Sequence, residues 1–257
     1  MDRKFSPRGL DYYIKWSLSN WAEETAFKFC QGVLANEFHV RVYRYGYSAG
    51  RIPGNLAEFE EILNEKAQLE SYGKRPNLLL FDEDDAKKHE QELARLMRRP
   101  DNEIEELVKI AVLGLEVELS AWSMKRSAQA GKSLSFTVKV EDVQPLRSWK
   151  EKYKIPIVVL QVFLDELHAC PLDKIVEGKI RKDRKTGKPT HYFPASAQTH
   201  LTDIEGVYFD AKVEFTKNGM LVPFVTLKGG RFANVSYENL HMFDSYGLRR
   251  KGINLVD

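Results

Sequence analysis

The chain has 257 residues, of which 43% are hydrophobic and 30% charged, and its net charge is +2 at pH 7. This composition excludes wholesale disorder, and the length allows one large domain. No apolar run reaches the roughly 20 residues that span a bilayer, and the charged start of the chain leads into no apolar signal region, so we expect a cytoplasmic protein. The two cysteines, Cys30 and Cys170, are too few for a disulfide framework and are expected to be reduced and buried.

The first part of the chain predicts helices separated by one strand. Apolar residues at helical spacing predict a helix over 11–34. The alternating, aromatic-rich run 38–47 predicts a strand. A turn at 51–55 and a polar helix over 56–70 follow.

A short strand and two helices are predicted next. Proline disfavours helix at the residue before it, and four apolar residues follow Pro76-Asn77, so a buried strand is expected over 78–81. An acidic turn at 82–85 leads into a charged helix that ends at Arg99. A capping box that begins at Asn102 starts a second helix, which Gly114 ends.

Three further strands are predicted downstream. Residues 115–119 alternate strictly, with apolar side chains on one face and two glutamates on the other. Residues 135–140 alternate as well. The near-continuous apolar run 155–164 is typical of a central strand that is covered on both faces.

The C-terminal part carries mainly β-strand signals. The alternating residues 207–215, a Lys-Asn-Gly turn at 217–219 and the run 220–227 predict a β-hairpin. The order of elements predicts an α/β fold, in which a mixed central β-sheet is flanked by helices and followed by a β-rich C-terminal region.

The same order suggests how the chain is organised. We expect a core over residues 1–170, with a helical insertion at about 84–113. Residues 171–257 then form a hairpin-containing region of the same domain.

Two carboxylates on one face of the strand at 115–119 are the main candidate for chemistry. Side chains at positions i and i+2 of a strand lie about 6–7 Å apart, so Glu116 and Glu118 repel each other unless a positive charge neutralises them. A divalent cation does so, and Mg²⁺ typically takes one or two carboxylates together with substrate phosphates. Asn77, at the start of the preceding strand, can supply a third oxygen. Taken alone, the pattern is short and common, and an exposed strand is the better explanation.

The two strand segments together resemble the active-site motif of the PD-(D/E)xK nuclease superfamily. That motif has an acidic residue at the start of one strand and an acid-x-(lysine or acid) pair on the next, as in Pro76-Asn77 and Glu116-Val117-Glu118. The Glu-Val-Glu form looks like that of type II restriction endonucleases of the BamHI type, in which glutamate replaces the usual lysine. The resemblance covers roughly residues 11–166 and implies a restriction-endonuclease-like core.

The sequence departs from this family at residue 77, where aspartate is expected. Asparagine keeps an oxygen ligand but lacks the charge, which weakens cation binding and lowers or abolishes cleavage. Either the chain is an inactive Asp-to-Asn form, or Asn77 is not the motif position. Asp82, Asp84 and Asp85 are nearby substitutes. Asp101 is a rival that ranks second, because a helix start explains it well.

The resemblance implies a Mg²⁺-dependent, sequence-specific endonuclease that hydrolyses phosphodiester bonds in double-stranded DNA as a homodimer. Asn77 and Glu116 are the implied metal ligands, and Glu118 orients or deprotonates the attacking water or binds a second ion. Glu23, from the first helix, is a further catalytic candidate. Lys139 is another, because it can supply the cation that the motif lacks. An ordinary surface side chain explains these last two residues at least as well.

A basic run at 179–188 suits contacts with DNA phosphates, which provide affinity independent of sequence. A solvated, flexible loop explains the run equally well. The candidate DNA-binding residues are Lys179, Arg181, Lys182, Arg184, Lys185 and Lys188.

Two other functions fit the same features. One is a DNA repair or junction-resolving nuclease built on the same core. The other is a DNA-binding protein without catalysis, an alternative that depends on the missing charge at Asn77.

Overall fold

The computed structural model describes residues 10–47, 56–70, 74–183, 187–215 and 221–251. In chain order, the strands in these residues are β1 (Val40–Arg44), β2 (Leu78–Asp82), β3 (Ala111–Leu119), β4 (Ser135–Lys139), β5 (Ile157–Val162), β6 (Glu166–Pro171), β7 (Lys179–Lys182), β8 (Pro189–Pro194), β9 (His200–Phe215) and β10 (Leu221–Ala233). The α-helices are α1 (Leu10–Phe29), α2 (Ala35–Glu37), α3 (Leu56–Leu69), α4 (Glu83–Lys88), α5 (Glu90–Leu93), α6 (Asp101–Lys109), α7 (Met124–Gln129), α8 (Val140–Tyr153) and α9 (Leu172–Val176).

Seven strands form the central sheet, in the order β1-β2-β3-β5-β6-β9-β10. β3 and β5 pair in parallel, and the other neighbours pair antiparallel. A second sheet has the order β4-β8-β7. This arrangement confirms the predicted α/β fold with a mixed central sheet and a β-rich C-terminal region. Because β9 pairs with β6, the C-terminal hairpin continues the central sheet; the division of the chain at residue 170 stays a prediction.

The two faces of the central sheet pack against different helices. On one face, buried side chains of α1 pack with Leu115 of β3 and Val158 of β5. On the opposite face, Trp149 of α8 packs with Leu79 of β2 and Val159 of β5. All six residues of β5 are buried, as the apolar run predicted for a strand covered on both sides.

Most predicted elements occur where the sequence placed them. The helix expected over 11–34 is α1 followed by a π-helical turn at Cys30–Leu34, and the polar helix over 56–70 is α3. The other confirmed elements are the strands β1, β2, β3, β4 and β5 and the hairpin of β9 and β10. The turns expected at 51–55 and 217–219 lie outside the described residues.

The helices predicted between β2 and β3 differ from those in the structure. The single charged helix expected to end at Arg99 is divided into α4, α5 and a 3-10 turn at Leu96–Arg98. The acidic residues after β2 do not form a turn: Asp82 caps α4, because its carboxylate accepts a hydrogen bond from the N–H of Asp84 at 3.0 Å. The next helix, α6, begins at Asp101 and has Pro100 as its N-cap, so Asn102 lies inside the helix and forms no capping box. Asp82 therefore decides where α4 begins, whereas α6 begins after Pro100 and has Asp101 in its first turn.

The sequence predicted that Gly114 ends a helix, but this residue lies within β3. A Cβ atom at this position would be 3.1 Å from Cγ of Pro76 and 3.3 Å from Cζ3 of Trp149. A side chain here would crowd Pro76 and Trp149, so glycine suits the close packing of β3 against the segment before β2 and against α8. This close approach brings the start of β2 next to the glutamates of β3.

Two expectations from composition can also be compared with the structure. Cys30 and Cys170 are buried free thiols, as expected. Within the described part of the chain, no helix combines the length and the apolar character needed to cross a membrane.

Candidate functional site

Pairing of β2 with β3 brings Asn77 beside the glutamates. Leu78 lies opposite Leu115 in this antiparallel pair, so the next position along puts Asn77 opposite Glu116. The Asn77 side chain reaches across to β3, where its Oδ1 accepts a hydrogen bond from the N–H of Val117 at 2.8 Å. The amide oxygen of Asn77 is thus fixed at the residue between the two glutamates.

Lys74 supplies the positive charge at this place. The side chain of Glu116 is only 2% exposed, and its Oε1 lies 2.5 Å from Nζ of Lys74. Burial raises the pKa of Glu116, and the ammonium of Lys74 opposes this shift. Burial disfavours the charge of Lys74 in turn, but Glu116, Glu118 and Asp142 outweigh it and raise the pKa of Lys74. The ammonium is therefore charged at neutral pH.

Asp142, in the first turn of α8, extends the charged group. Its Oδ2 lies 3.6 Å from Nζ of Lys74 and 3.9 Å from Nζ of Lys139. Lys139 is half exposed and has its ion pair with Asp142, while its charge acts on Glu118 only weakly. Lys74, and not Lys139, is the cation in contact with Glu116.

Two carboxylates at this site have pKa values displaced into the neutral range. Burial is the main cause that raises the pKa of Glu118 to about 7. The charge of Lys74 opposes this shift, and the negative charge of Glu116 adds to it. Burial followed by the charge of Glu116 likewise raises the pKa of Glu23, on α1, to about 7. Titrating groups displaced in this way concentrate at functional sites. We call Glu23, Glu116, Glu118, Asp142 and Lys74 the carboxylate cluster.

Two buried polar atoms next to the cluster have no hydrogen-bond partner among the described residues. One is Oε2 of Glu116, and the other is Nε2 of Gln161. Gln161 is fully buried on β5, lies opposite Glu118, and accepts a hydrogen bond at Oε1 from the N–H of Thr137 at 3.0 Å. Since buried polar groups are almost always paired, a free acceptor and a free donor on one face of the sheet indicate a place for a ligand.

The donor set fits a magnesium ion whose coordination is completed by substrate and water. Among the described residues, no group of three His, Cys, Asp or Glu side chains is arranged to hold a metal by itself. Mg²⁺ commonly needs only one or two protein carboxylates in addition to phosphate oxygens. The unpartnered Oε2 of Glu116 is such an oxygen, with the carboxylate of Glu118 on the same face of the strand. Asn77 is less available, because its oxygen already accepts from Val117.

The rival position, Asp101, belongs to a different network. It is fully buried, and its Oδ1 accepts hydrogen bonds from Nε of Arg75 at 2.8 Å and from the hydroxyl of Tyr45 at 3.1 Å. Its charge is therefore neutralised inside the core, which explains this aspartate better than a helix start alone.

The acidic residues after β2 are also engaged elsewhere. Asp82 and Asp84 both accept hydrogen bonds from the guanidinium of Arg249. Asp85 forms an ion pair with Lys88 at 2.8 Å. None of these contacts involves the carboxylate cluster.

The basic run is in part a strand. Lys179, Arg181 and Lys182 lie in β7, where every residue is exposed, and β7 pairs with β8. Lys188 forms an ion pair with Glu141 at 2.5 Å. Arg184 and Lys185 lie outside the described residues.

Sequence reasoning missed Lys74, Asp142 and Gln161. Lys74 comes three residues before Asn77, and this short spacing was a usable signal. Asp142 looks like any acidic residue at a helix start, and Gln161 is one polar residue in an apolar strand. A buried glutamine in a central strand was the available hint, because burying an amide needs a specific partner.

Comparison with known proteins adds one finding. Residues 11–133 match the family model of the AccI restriction endonuclease. The matched segment contains every member of the carboxylate cluster except Asp142, and it also contains Asn77. Searches of curated proteins and of solved structures gave no match. The similarity supports a restriction endonuclease, which is a deoxyribonuclease acting on DNA.

Proposed function

We propose that this chain is a type II restriction endonuclease that cleaves double-stranded DNA at a specific sequence with the help of Mg²⁺. The observation that carries the proposal is the carboxylate cluster, four of whose five members lie in the segment similar to a restriction endonuclease. An unpartnered buried oxygen on Glu116 and a neutralising Lys74 give this cluster the donor set of a phosphodiesterase.

Glu116 is the residue that would hold the ion, through its unpartnered Oε2, with Asn77 as a weak second ligand. When bound, Mg²⁺ lowers the pKa of a water and neutralises charge on the phosphate. Lys74 stays charged beside Glu116, where it can also bind a phosphate oxygen of the DNA. The positive charge that the family motif has as lysine on the second strand would thus come from Lys74, two residues before Pro76.

Proton transfer is assigned to the two carboxylates that titrate near neutrality. A general base works best when its pKa lies near the working pH, and burial brings the pKa of Glu118 to about 7. Glu118 therefore accepts the proton of the attacking water. Glu23 has a pKa of about 7 as well and is the second candidate. Lys139 acts through Asp142, which it helps to hold next to Lys74.

DNA binding is assigned to the exposed basic strand and to a second copy of the chain. Lys179, Arg181 and Lys182 on β7 are accessible to phosphates, with residues 171–257 as the DNA-contacting part of the domain. A homodimer would present two such sites to the two strands of a palindromic sequence.

A binding protein without catalysis is the second candidate, because Asn77 carries no charge. Its neutral amide is occupied by Val117, and Lys74 already covers one oxygen of Glu116. In this case the chain would bind duplex DNA and leave it intact.

Digestion of a long plasmid with Mg²⁺, followed by sequencing of the ends, distinguishes the candidates. The wild-type chain and Asn77→Asp are tested in parallel. We expect discrete ends from a single short sequence, with more product from Asn77→Asp. If neither protein cuts while both retard a DNA duplex, the binding-only function is correct; if neither binds DNA, both candidates are wrong.

A further inference from the structure

A small cavity lies next to the end of β3, the strand that carries Glu116 and Glu118. Its volume is about 270 Å³, slightly below the roughly 300–1,000 Å³ of small-molecule sites. The walls are mainly apolar, with two basic side chains at the surface. Among the lining residues are Trp122, Ala130, Leu164, Arg126 and Lys132.

The cavity is held in shape by one aspartate. Asp165 accepts hydrogen bonds from the hydroxyl of Ser123 at 2.6 Å and from the N–H groups of Met124 and Lys125 at 2.7 and 3.1 Å. The N–H of Leu164 also donates to the carbonyl of Trp122 at 3.1 Å. The backbone on both sides of Trp122 is therefore fixed before any ligand binds, which lowers the entropic cost of binding.

Aromatic surface and positive charge coincide here. Trp122 is 55% exposed, one of a few large apolar side chains that remain accessible in the described part of the chain. Arg126 and Lys132 are exposed, and neither forms an ion pair with any described residue. An accessible indole flanked by two exposed basic side chains is the combination that binds a nucleobase and its phosphates.

The position suits the same DNA molecule. Trp122 follows Glu118 by four positions, and four residues span at most about 14 Å. Nucleotides are about 3.4 Å apart along one strand of B-DNA, so this reach corresponds to about four nucleotides.

We propose that this cavity binds a nucleobase of the DNA substrate within about four nucleotides of the cleaved phosphate. The base leaves the duplex stack, at the cost of its pairing and stacking there, and stacks on Trp122, while Arg126 and Lys132 bind the adjoining phosphates. Such contacts contribute to the affinity and to the choice of sequence. The inference rests on the proposed function, since it names a contact between the enzyme and its DNA.

The test measures binding of a labelled 30-base-pair duplex that carries the cut sequence found by plasmid digestion, without Mg²⁺. We expect Trp122→Ala to weaken binding about 5- to 150-fold, the loss that follows removal of one base–aromatic stack. Trp122→Phe keeps an aromatic face and should stay within about threefold of wild type. The double variant Arg126→Ala/Lys132→Ala should reduce the salt dependence, with the slope of log K against log[salt] smaller by roughly 2.

Tyr237→Ala is the matched control, because Tyr237 is 61% exposed and does not line the cavity. It should bind as the wild type does. Equal affinity of Trp122→Ala and wild type would overturn the inference, and so would a loss of affinity shared by Trp122→Phe. A change in oligomeric mass without a change in DNA affinity would also overturn it, since the cavity would then be a contact between chains.

The outcome can be separated from failure of the nuclease proposal. If plasmid digestion finds no cut sequence, the same variants are titrated with a 30-base-pair duplex of arbitrary sequence. Loss of binding in Trp122→Ala would then support the cavity as a DNA site in a protein that does not cut. A wild-type chain that binds neither duplex overturns both proposals.

Discussion

Lys74 and Arg75 are neighbours in the chain, but they serve two very different charged networks. Lys74 faces Glu116, whose second oxygen is buried without a partner. Arg75 faces Asp101 and is fully buried, with further hydrogen bonds to the carbonyls of Tyr45, Leu69 and Arg99. The network of Lys74 thus leaves one buried oxygen without a partner among the described residues, whereas in the network of Arg75 the buried charges are paired.

The difference indicates what each network is for. The Asp101 network also includes Tyr45, whose ring lies 4.7 Å from the guanidinium of Arg75 and whose hydroxyl accepts from Nε1 of Trp149 at 3.0 Å. Every strong donor and acceptor there meets a protein group, which is the condition for a stabilising buried charge. In the carboxylate cluster, by contrast, one oxygen of Glu116 has no partner among the described residues, and two carboxylates have raised pKa values. We therefore propose that the carboxylate cluster is the active site.

The largest effect is expected from Glu116→Gln. Removal of the charge that would hold the metal should lower Mg²⁺-dependent plasmid cleavage by about 10³-fold or more, while duplex binding persists. Glu106→Gln is the control, because Glu106 is an exposed residue whose contact is a surface ion pair with Lys109. Cleavage within tenfold of wild type would remove Glu116 from the active site and make the network of Lys74 a structural defect.

Arg75→Met should break the network of Arg75. It leaves Asp101 buried without its cation, which typically costs about 3–5 kcal/mol in free energy of unfolding. The matched variant Lys74→Met should cost less, since Glu116 can take up a proton and burial already raises its pKa. Chemical denaturation measures both. A larger loss from Lys74→Met than from Arg75→Met would reverse the assignment of the two networks.

Asn77→Asp should increase activity. A carboxylate at this position can keep the hydrogen bond from Val117 with one oxygen and offer the other to Mg²⁺. We expect the Mg²⁺ concentration that gives half-maximal cleavage to fall about 10- to 100-fold, as measured by titration of the metal. Asp101→Asn serves as the comparison, because it should lower stability without changing the Mg²⁺ dependence. Unchanged metal dependence in Asn77→Asp would mean that residue 77 is not a ligand.

The pH dependence should follow Glu118. Its pKa is raised from its ordinary 4.5 to about 7, so cleavage is expected to rise about tenfold per pH unit below pH 7 and to level off above it. The folded state holds this proton more tightly than the unfolded state does. The stability that Glu118 contributes is therefore fully present below about pH 4.5 and is lost as the pH rises through 7. Glu118→Gln should remove this trend in the free energy of unfolding. Cleavage should be measured between about pH 5.5 and 7, and a rate that does not change over this range would exclude Glu118 as the base.

Part of the site could be predicted because it depends on local pattern alone. The alternation of residues 115–119 puts Glu116 and Glu118 on one face of a strand, and the resemblance added Asn77 before the strand at 78–81. Register then follows from pairing of two apolar strands, and the structure has Asn77 opposite Glu116. Glu23 was a candidate from the first helix, and its pKa responds to Glu116 in the folded chain.

The periodicity of the sequence alone determined the α/β class, the buried strand β5, the face of β3 that carries both glutamates, and the hairpin of β9 and β10. These are consequences of side-chain spacing within one element, which needs no knowledge of the neighbours. Only the tertiary structure decided that Lys74 and Asp142 complete the carboxylate cluster and that Asp101 belongs to Arg75. Partners of buried charges are chosen by packing between elements far apart in the chain, and that choice leaves no periodic signal in the sequence.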